Sequence, residues 1–358
     1  MTSRKTAIVL FNLGGPDRLE AVKPFLFNLF HDPAIISVPQ PMRWFLAKLI
    51  SSRREKTAQE IYAEIGNKSP ILENTQAQAR ALEAQINGMT DQPLGEVRCF
   101  ITMRYWHPMS DETAAKVRDW GADEVILLPL YPQFSTTTTG SSYQDWMRAA
   151  HKAGLKAPTR LTCCYPKEPG FVAAVADKIH KKLAELEPGQ SNNLRILFSA
   201  HGLPKKVIEK GDPYQEQVET TVASVVNYMA EKAIGPKELD YQVCYQSRVG
   251  PLEWIGPSTE DEIARAGQDD VGLVVVPIAF VSEHSETLVE LDIEYAELAR
   301  ENGVGTYLRV GTVDNHDDFI GGLAGLALDA SNWENGRVDC QKGGYCCGNQ
   351  WSGCIRNS

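Results

Sequence analysis

No stretch of the 358-residue chain is apolar for long enough to cross a membrane. A spanning helix needs about 18 or more uninterrupted apolar residues. The best runs, Val125–Tyr131 and Gly272–Val281, are short and contain Pro129 and Pro277. A basic surplus is also missing. Acidic residues outnumber Lys and Arg by 46 to 36, a formal charge of −10. That argues against a protein that holds nucleic acid through its phosphates. The N-terminal segment MTSRKTAIVLFNLGGP has no small-x-small cleavage pattern, so it reads as a buried strand and turn rather than a signal peptide. The expected location is therefore the cytoplasm. Leu13-Gly14-Gly15-Pro16 lacks the G-x-G-x-x-G spacing, so no dinucleotide site is expected there.

What is present is an alternation of strand-like and helix-like segments. Apolar runs occur at Ala7–Leu13, Val97–Met103, Glu124–Leu130 and Thr159–Tyr165, then at Leu194–Ala200, Tyr241–Ser247, Gly272–Phe280 and Thr306–Val310. Most are continuous rather than alternating, as in strands covered on both faces by helices. Helical stretches fall between them: Ile71–Ile86, a short one from Asp111, Glu168–Leu186, and residues 211–226. The fold class expected is α/β, with two similar Rossmann-like lobes, each a doubly wound parallel four-stranded sheet. The turn-like run from Glu187 to Ser191 marks the boundary. The division is residues 1–187, 188–330, and a Cys-rich tail, 331–358. Ligands in such folds bind beyond the carboxyl ends of the strands.

Candidate chemistry clusters at those ends. His201, in FSAHGLP, stands at the end of the second lobe's first strand and can act as a base or offer a lone pair to a metal. Pro277–Glu297 reads PIAFVSEHSETLVELDIEYAE, with Ser282 as the cap of a helix from about Glu283. Glu283, Glu286, Glu290, Glu294 and Glu297 would share one acidic face, beside His284. Such a stripe is either a solvated face or a ladder that carries protons or a divalent metal. Residues 24–50 are rich in Phe, Leu, Ile, Trp and Pro, and read as packed helix and loop or as an apolar lip. Arg43, Lys48, Arg53, Arg54 and Lys56 lie in or after it, suited to carboxylates or anionic lipid. Arg104-Tyr105-Trp106, Tyr131 and Trp254 lie at predicted strand ends, where aromatic side chains can stack a planar ligand.

The cysteines are uneven. Cys99 and Cys244 sit singly in apolar runs and read as packed thiols. Cys163 and Cys164 are adjacent, and Cys340, Cys346, Cys347 and Cys354 crowd the tail. Reduced cytoplasmic thiols at this density point to a zinc ion or an iron–sulfur cluster, with the ligand set open.

Seven segments in order resemble the ferrochelatase family. They are VLFNLGGP, IGNKSPI, MRYWHP, LPLYPQFSTTTTGS, FSAHGLP, YQSRVGPLEWIGP and PIAFVSEHSETLVELDIEY. The resemblance implies two Rossmann-like lobes with a cleft, and insertion of ferrous iron into protoporphyrin IX. It makes His201 and Glu286 the catalytic and iron-binding pair, one on each face of the porphyrin. Glu283, His284, Glu290 and Glu294 become a proton or metal path. Leu13, Tyr62, Arg104, Tyr105, Tyr131, Ser247, Trp254 and Phe280 line the porphyrin pocket, and Arg53 or Arg54 meets a propionate. The lip would touch a membrane peripherally, on its inner face. Some members carry a [2Fe–2S] cluster held by one internal and three C-terminal cysteines. Here four of Cys163, Cys164, Cys340, Cys346, Cys347 and Cys354 would serve, since Thr136 stands where animal members have the internal ligand. A chelatase for cobalt or nickel, and a porphyrin carrier or iron–sulfur sensor, are the rival readings. Oligomeric state is not legible.

Overall fold

A computed structural model describes residues 4–186, 193–248, 250–340 and 346–357. Strands β1 (Lys5–Asn12), β2 (Glu96–Met103), β3 (Glu124–Pro129) and β4 (Thr159–Thr162) form a parallel sheet in the order β2-β1-β3-β4. Strands β5 (Leu194–His201), β6 (Asp240–Gln246), β7 (Gly272–Pro277) and β8 (Tyr307–Arg309) form a second, in the order β6-β5-β7-β8. The two orders are the same when each half is numbered from its own first strand, so the lobes are alike as expected. One feature was not foreseen. A two-residue strand from the tail, β9 (Val338–Asp339), pairs in parallel with β4 and makes the first sheet five-stranded. A two-residue segment carries no periodicity from which to predict it.

Burial explains the continuous apolar runs. Ala7 to Phe11 of β1 and Leu273 to Val275 of β7 are fully enclosed. Residues of both sheets join one core cluster with the helices Ile71–Asn87, Pro169–Leu183, Tyr214–Glu231 and Asp317–Ser331. The last of these packs against Ile71–Asn87 and Pro169–Leu183, returning the chain toward the first sheet ahead of the tail. The expected lobe boundary at 187–191 lies outside the described residues.

In a sheet of this order, the chain reverses direction between β1 and β3, and again between β5 and β7. Crevices open beyond the carboxyl ends of such strands. Gly14, with φ 85°, makes the turn after β1. There the Arg104 and Tyr105 amides donate to the carbonyls of Asn12 and Leu13, at 2.9 and 3.0 Å. Residues 24–50 resolve into the helix Val22–His31, a connection, and the helix Gln40–Ala63. Pro39 precedes the second helix and Pro41 lies in its first turn, where a missing N–H is harmless. On this lip Met42, Trp44 and Phe45 are 56%, 46% and 57% exposed, an unusual amount of large apolar surface on one short segment.

Candidate active site

His201 is the last residue of β5, aligned with Gln246 at the end of β6. The next residue must be small: a Cβ on Gly202 would lie 2.9 Å from the Gln246 carbonyl oxygen. Glu286 opens a π-helix, Glu286–Glu294, which continues as the helix Tyr295–Glu301. The expected start at Glu283 with a Ser282 cap is therefore wrong by a turn. The Ser282 hydroxyl instead donates to Gln78 Oε1 at 3.1 Å, tying this loop to the first lobe. π-Helical turns are rare and concentrate at functional sites.

His201 Nδ1 and Glu286 Oε2 are 2.8 Å apart. The two side chains expected on opposite faces of a porphyrin are here in direct contact. A macrocycle between them would need roughly 7 Å, twice an ordinary contact distance. Burial opposes a charge on the His201 ring, but the Glu286 carboxylate, with help from Glu290, holds its pKa above the ordinary value. Burial likewise opposes ionisation of Glu286, and His201 and His284 overcome it, so the carboxyl sits far below the usual range. His284 Nε2 is 3.8 Å from Glu286, and its ring packs on Phe280 with centroids 4.8 Å apart.

The acidic stripe is only partly a stripe. Glu290 takes hydrogen bonds from Gln246 Nε2 at 2.9 Å, the Ser247 amide at 2.8 Å, Ser247 Oγ at 2.5 Å and Tyr295 Oη at 3.0 Å. Burial and the Glu286 charge raise its pKa, while Ser247 and Gln246 offset part of that. Glu294, one turn on, is exposed. Glu286, Glu290 and Glu294 thus lead from the pair to solvent. The two end members leave the row. Glu283 accepts from Arg309 and from the Thr312 amide, and Glu297 pairs with Arg300.

The predicted pocket residues divide. Tyr62, from the lip helix, is buried with its hydroxyl beside Ser285 and Glu286; burial lifts its pKa to about 12. Arg104 and Tyr105 converge on the buried Asp32. Arg104 Nη2 is 2.9 Å from Asp32 Oδ2, Tyr105 Oη donates to the same oxygen at 2.8 Å, and Ser141 Oγ also donates to it. Leu13 packs in the cluster that holds Tyr62 and Tyr105. Tyr131 Oη and Trp254 Nε1 are buried with no hydrogen-bond partner among the described residues. Arg53 and Arg54 are exposed on the lip helix and form no ion pair among the described residues. Sequence reasoning missed Asp32 and Gln246. Gln246 lies inside a segment already singled out, but only burial shows that it holds Glu290 and the Glu286 carbonyl.

A second constellation lies at the end of β4. Cys163, Cys164, Cys340, Cys347 and Cys354 are buried in one cluster with Phe134 and Leu161. Cys163, Cys164 and Cys340 place sulfurs within 4.8 Å of one another. Cys346 is exposed and leans to Asp339, 3.9 Å away, so the vicinal pair divides with Cys347 inward. Cys99 is partly exposed and Cys244 fully buried. Among the described residues no helix is long and apolar enough to cross a membrane.

Comparison with known proteins agrees with this architecture. The ferrochelatase family model matches residues 5–331. A protein named ferrochelatase from Caulobacter vibrioides (strain NA1000 / CB15N) is 53% identical over 352 residues, covering 98% of this chain and 97% of its own. One from Phenylobacterium zucineum is 52% identical over 95% of this chain and 99% of its own, and one from Rickettsia bellii 47% over 99% and 96%. The structure of SirB from Bacillus subtilis with Fe3+ shares the fold, with a TM-score of 0.52 at 11% identity over 92% of this chain and 96% of that one. The chain belongs to the ferrochelatase family, enzymes that insert iron into a porphyrin.

Proposed function

We propose that the chain inserts ferrous iron into protoporphyrin IX, completing protohaem, with His201 and Glu286 as the catalytic pair. The observation that carries this assignment of roles is the 2.8 Å His201–Glu286 contact at the mouth of the crevice, continued by Glu290 and Glu294. Free-base porphyrin plus Fe2+ gives metalloporphyrin plus two protons. The protein must therefore take up two pyrrole protons and strip water from the ion. Neutral His201 accepts a proton within reach of Glu286, whose charge stabilises the imidazolium formed. Glu286, kept ionised, is a hard oxygen ligand for ferrous iron once His201 turns away from it. Glu290, whose raised pKa brings it toward neutrality, passes protons on to the exposed Glu294. Tyr62, Arg104, Tyr105, Trp254 and Phe280 hold the macrocycle, and remote contacts of this kind can support its distortion. A carboxylate pocket alone would not distinguish porphyrins, so Arg53 and Arg54, both unpaired among the described residues, are assigned to the propionates.

Two further parts complete the proposal. The five buried thiols fit a [2Fe–2S] cluster, because soft sulfur donors in an apolar enclosure suit it. Cys340, Cys347 and Cys354, with Cys163 or Cys164, would hold it, and it would supply a one-electron centre. The exposed Met42, Trp44 and Phe45, flanked by cations, support peripheral contact of the lip with an anionic membrane face.

The test is an anaerobic assay with ferrous iron and protoporphyrin IX, followed by the absorption bands of porphyrin and haem. Catalytic conversion should occur, and His201→Ala should lower kcat by ~10²-fold or more. Wild-type turnover in His201→Ala contradicts the assignment. A preference for cobalt or nickel, or binding without turnover with every metal, favours the rival readings. Coproporphyrin in the same assay decides the substrate.

A further inference from the structure

The helix Tyr214–Glu231 belongs to the second lobe, yet one of its side chains enters the cysteine constellation of the first. Gln217 is fully buried. Its Nε2 donates to Cys347 Sγ at 3.1 Å and to Cys164 Sγ at 3.5 Å. Its Oε1 accepts the Phe134 amide at 2.7 Å. That last bond fixes which way the amide points. A backbone N–H needs an acceptor, so Oε1 must face Phe134 and Nε2 must face the sulfurs. The neighbouring contacts hold the helix in place. Gln133 Nε2 donates to Thr221 Oγ1 at 3.0 Å, and Asp212 accepts the Thr136 amide at 2.7 Å. The Gly353 amide of the tail donates to the Gly211 carbonyl at 3.0 Å.

A buried primary amide aimed at two thiols is a poor arrangement if those sulfurs remain neutral. Neutral thiols are weak acceptors, and desolvating the amide costs free energy without a good partner. When the sulfurs are thiolates bound to a cluster, the same bonds become charge-assisted and stronger. We infer that Gln217 is a positioning residue that hydrogen-bonds the cluster's thiolate ligands across the lobe seam and raises the cluster's reduction potential. The inference rests on the proposed [2Fe–2S] cluster. The sign follows from charge. Reduction adds one electron and more negative charge to the sulfurs, so a fixed N–H donor stabilises the reduced form more than the oxidised one.

The experiment uses the full chain, reconstituted anaerobically with ferric iron and sulfide. Dithionite reduction of the wild type should give the EPR signal of a reduced [2Fe–2S] centre. In a redox titration, Gln217→Met, which keeps the volume and removes the donor, should shift the midpoint to more negative potential. The expected drop is about tenfold in the ratio of reduced to oxidised centre at fixed potential, about 59 mV for one electron. A second measurement is spectroscopic and does not depend on the midpoint. Wild-type protein labelled with nitrogen-15 at glutamine side-chain amides should show a nitrogen-15 coupling in pulsed EPR of the reduced centre, absent from Gln217→Met. A cluster with unchanged midpoint in Gln217→Met, or no such coupling in the wild type, overturns the role of Gln217. Wild type that takes up no cluster at all overturns the cofactor assignment instead, and the two failures are thus distinct.

Discussion

His201 and Glu286 shift each other's titration in opposite directions, and the signs predict two pH limits. The His201 pKa is raised, so its share of the pair's stabilisation is complete below the ordinary value of about 6.5 and is lost as pH rises through the raised one. The Glu286 pKa is lowered, so its share is complete above the ordinary carboxylate value and is lost as pH falls through the lowered one. Proton uptake from porphyrin needs neutral His201. The kcat should therefore climb with pH on the alkaline side of about 6.5, and a profile flat from pH 6 to 9 would contradict the role. Glu286→Gln removes the neighbour that raises His201, so the residual activity's limb should move to lower pH. Asp32 makes a separate prediction. It accepts Arg104, Tyr105 and Ser141 at once and is 3% exposed. Asp32→Ala leaves Arg104 without its partner, and urea unfolding should show a loss of about 3–5 kcal/mol. The porphyrin KM should rise as well, because Arg104 and Tyr105 lose their orientation.

Two elements show where local pattern reading stopped short. Charges at three- and four-residue spacing suggested one regular helix with five carboxylates on a face. The segment instead begins later and winds as a π-helix. Hydrogen bonds from Gln246, Ser247 and Tyr295 collect Glu290, while Arg309 draws Glu283 away. Apart from Tyr295, five residues on, these partners lie far along the chain from the carboxylates they bind, so local spacing could not reveal them. The lip was more legible. Its prolines ruled out one long helix, and two shorter helices are found. The proposed membrane contact predicts that a Met42→Ser, Trp44→Ser, Phe45→Ser variant loses most binding to anionic vesicles in a flotation assay. Its unfolding free energy should stay within about 0.5 kcal/mol of the parent per site, because the side chains are exposed. Vesicle binding that survives both the triple substitution and about 0.5 M salt, where screening is strong, would reject the contact.

At the scale of the molecule, the tail acts as a staple rather than an appendage. It supplies β9 to the first sheet, buried thiols to the core beside Trp146, and a hydrogen bond from Gly353 to Gly211 of the second lobe. Deleting residues 338–358 uncovers the edge of β4 and the apolar surface around Cys163 and Leu161. The thermal midpoint should fall by several degrees, on the order of 5 °C, as read by calorimetry. An unchanged midpoint would make the tail a passenger. Stripping a bound cluster with a chelator should move the midpoint in the same direction, since a ligand that binds only the folded state stabilises it.

Chain order and residue type by themselves determined much of this protein. Continuous apolar runs of six to eight residues suit strands covered on both faces, and their alternation with helical segments pointed to the α/β class. His201 and Glu286 were singled out by residue types at strand ends, together with resemblance to a family, and they lie at the end of β5 and the start of the π-helix. Tertiary structure decided the rest. It brought His201 and Glu286 into contact, buried Cys347 while leaving Cys346 exposed, and brought Gln217 to Cys347 from 130 residues away in the chain. The physical reason is one of range. Periodicity and propensity act over a few residues, whereas a buried polar group chooses its partner among whatever the packed core brings near it.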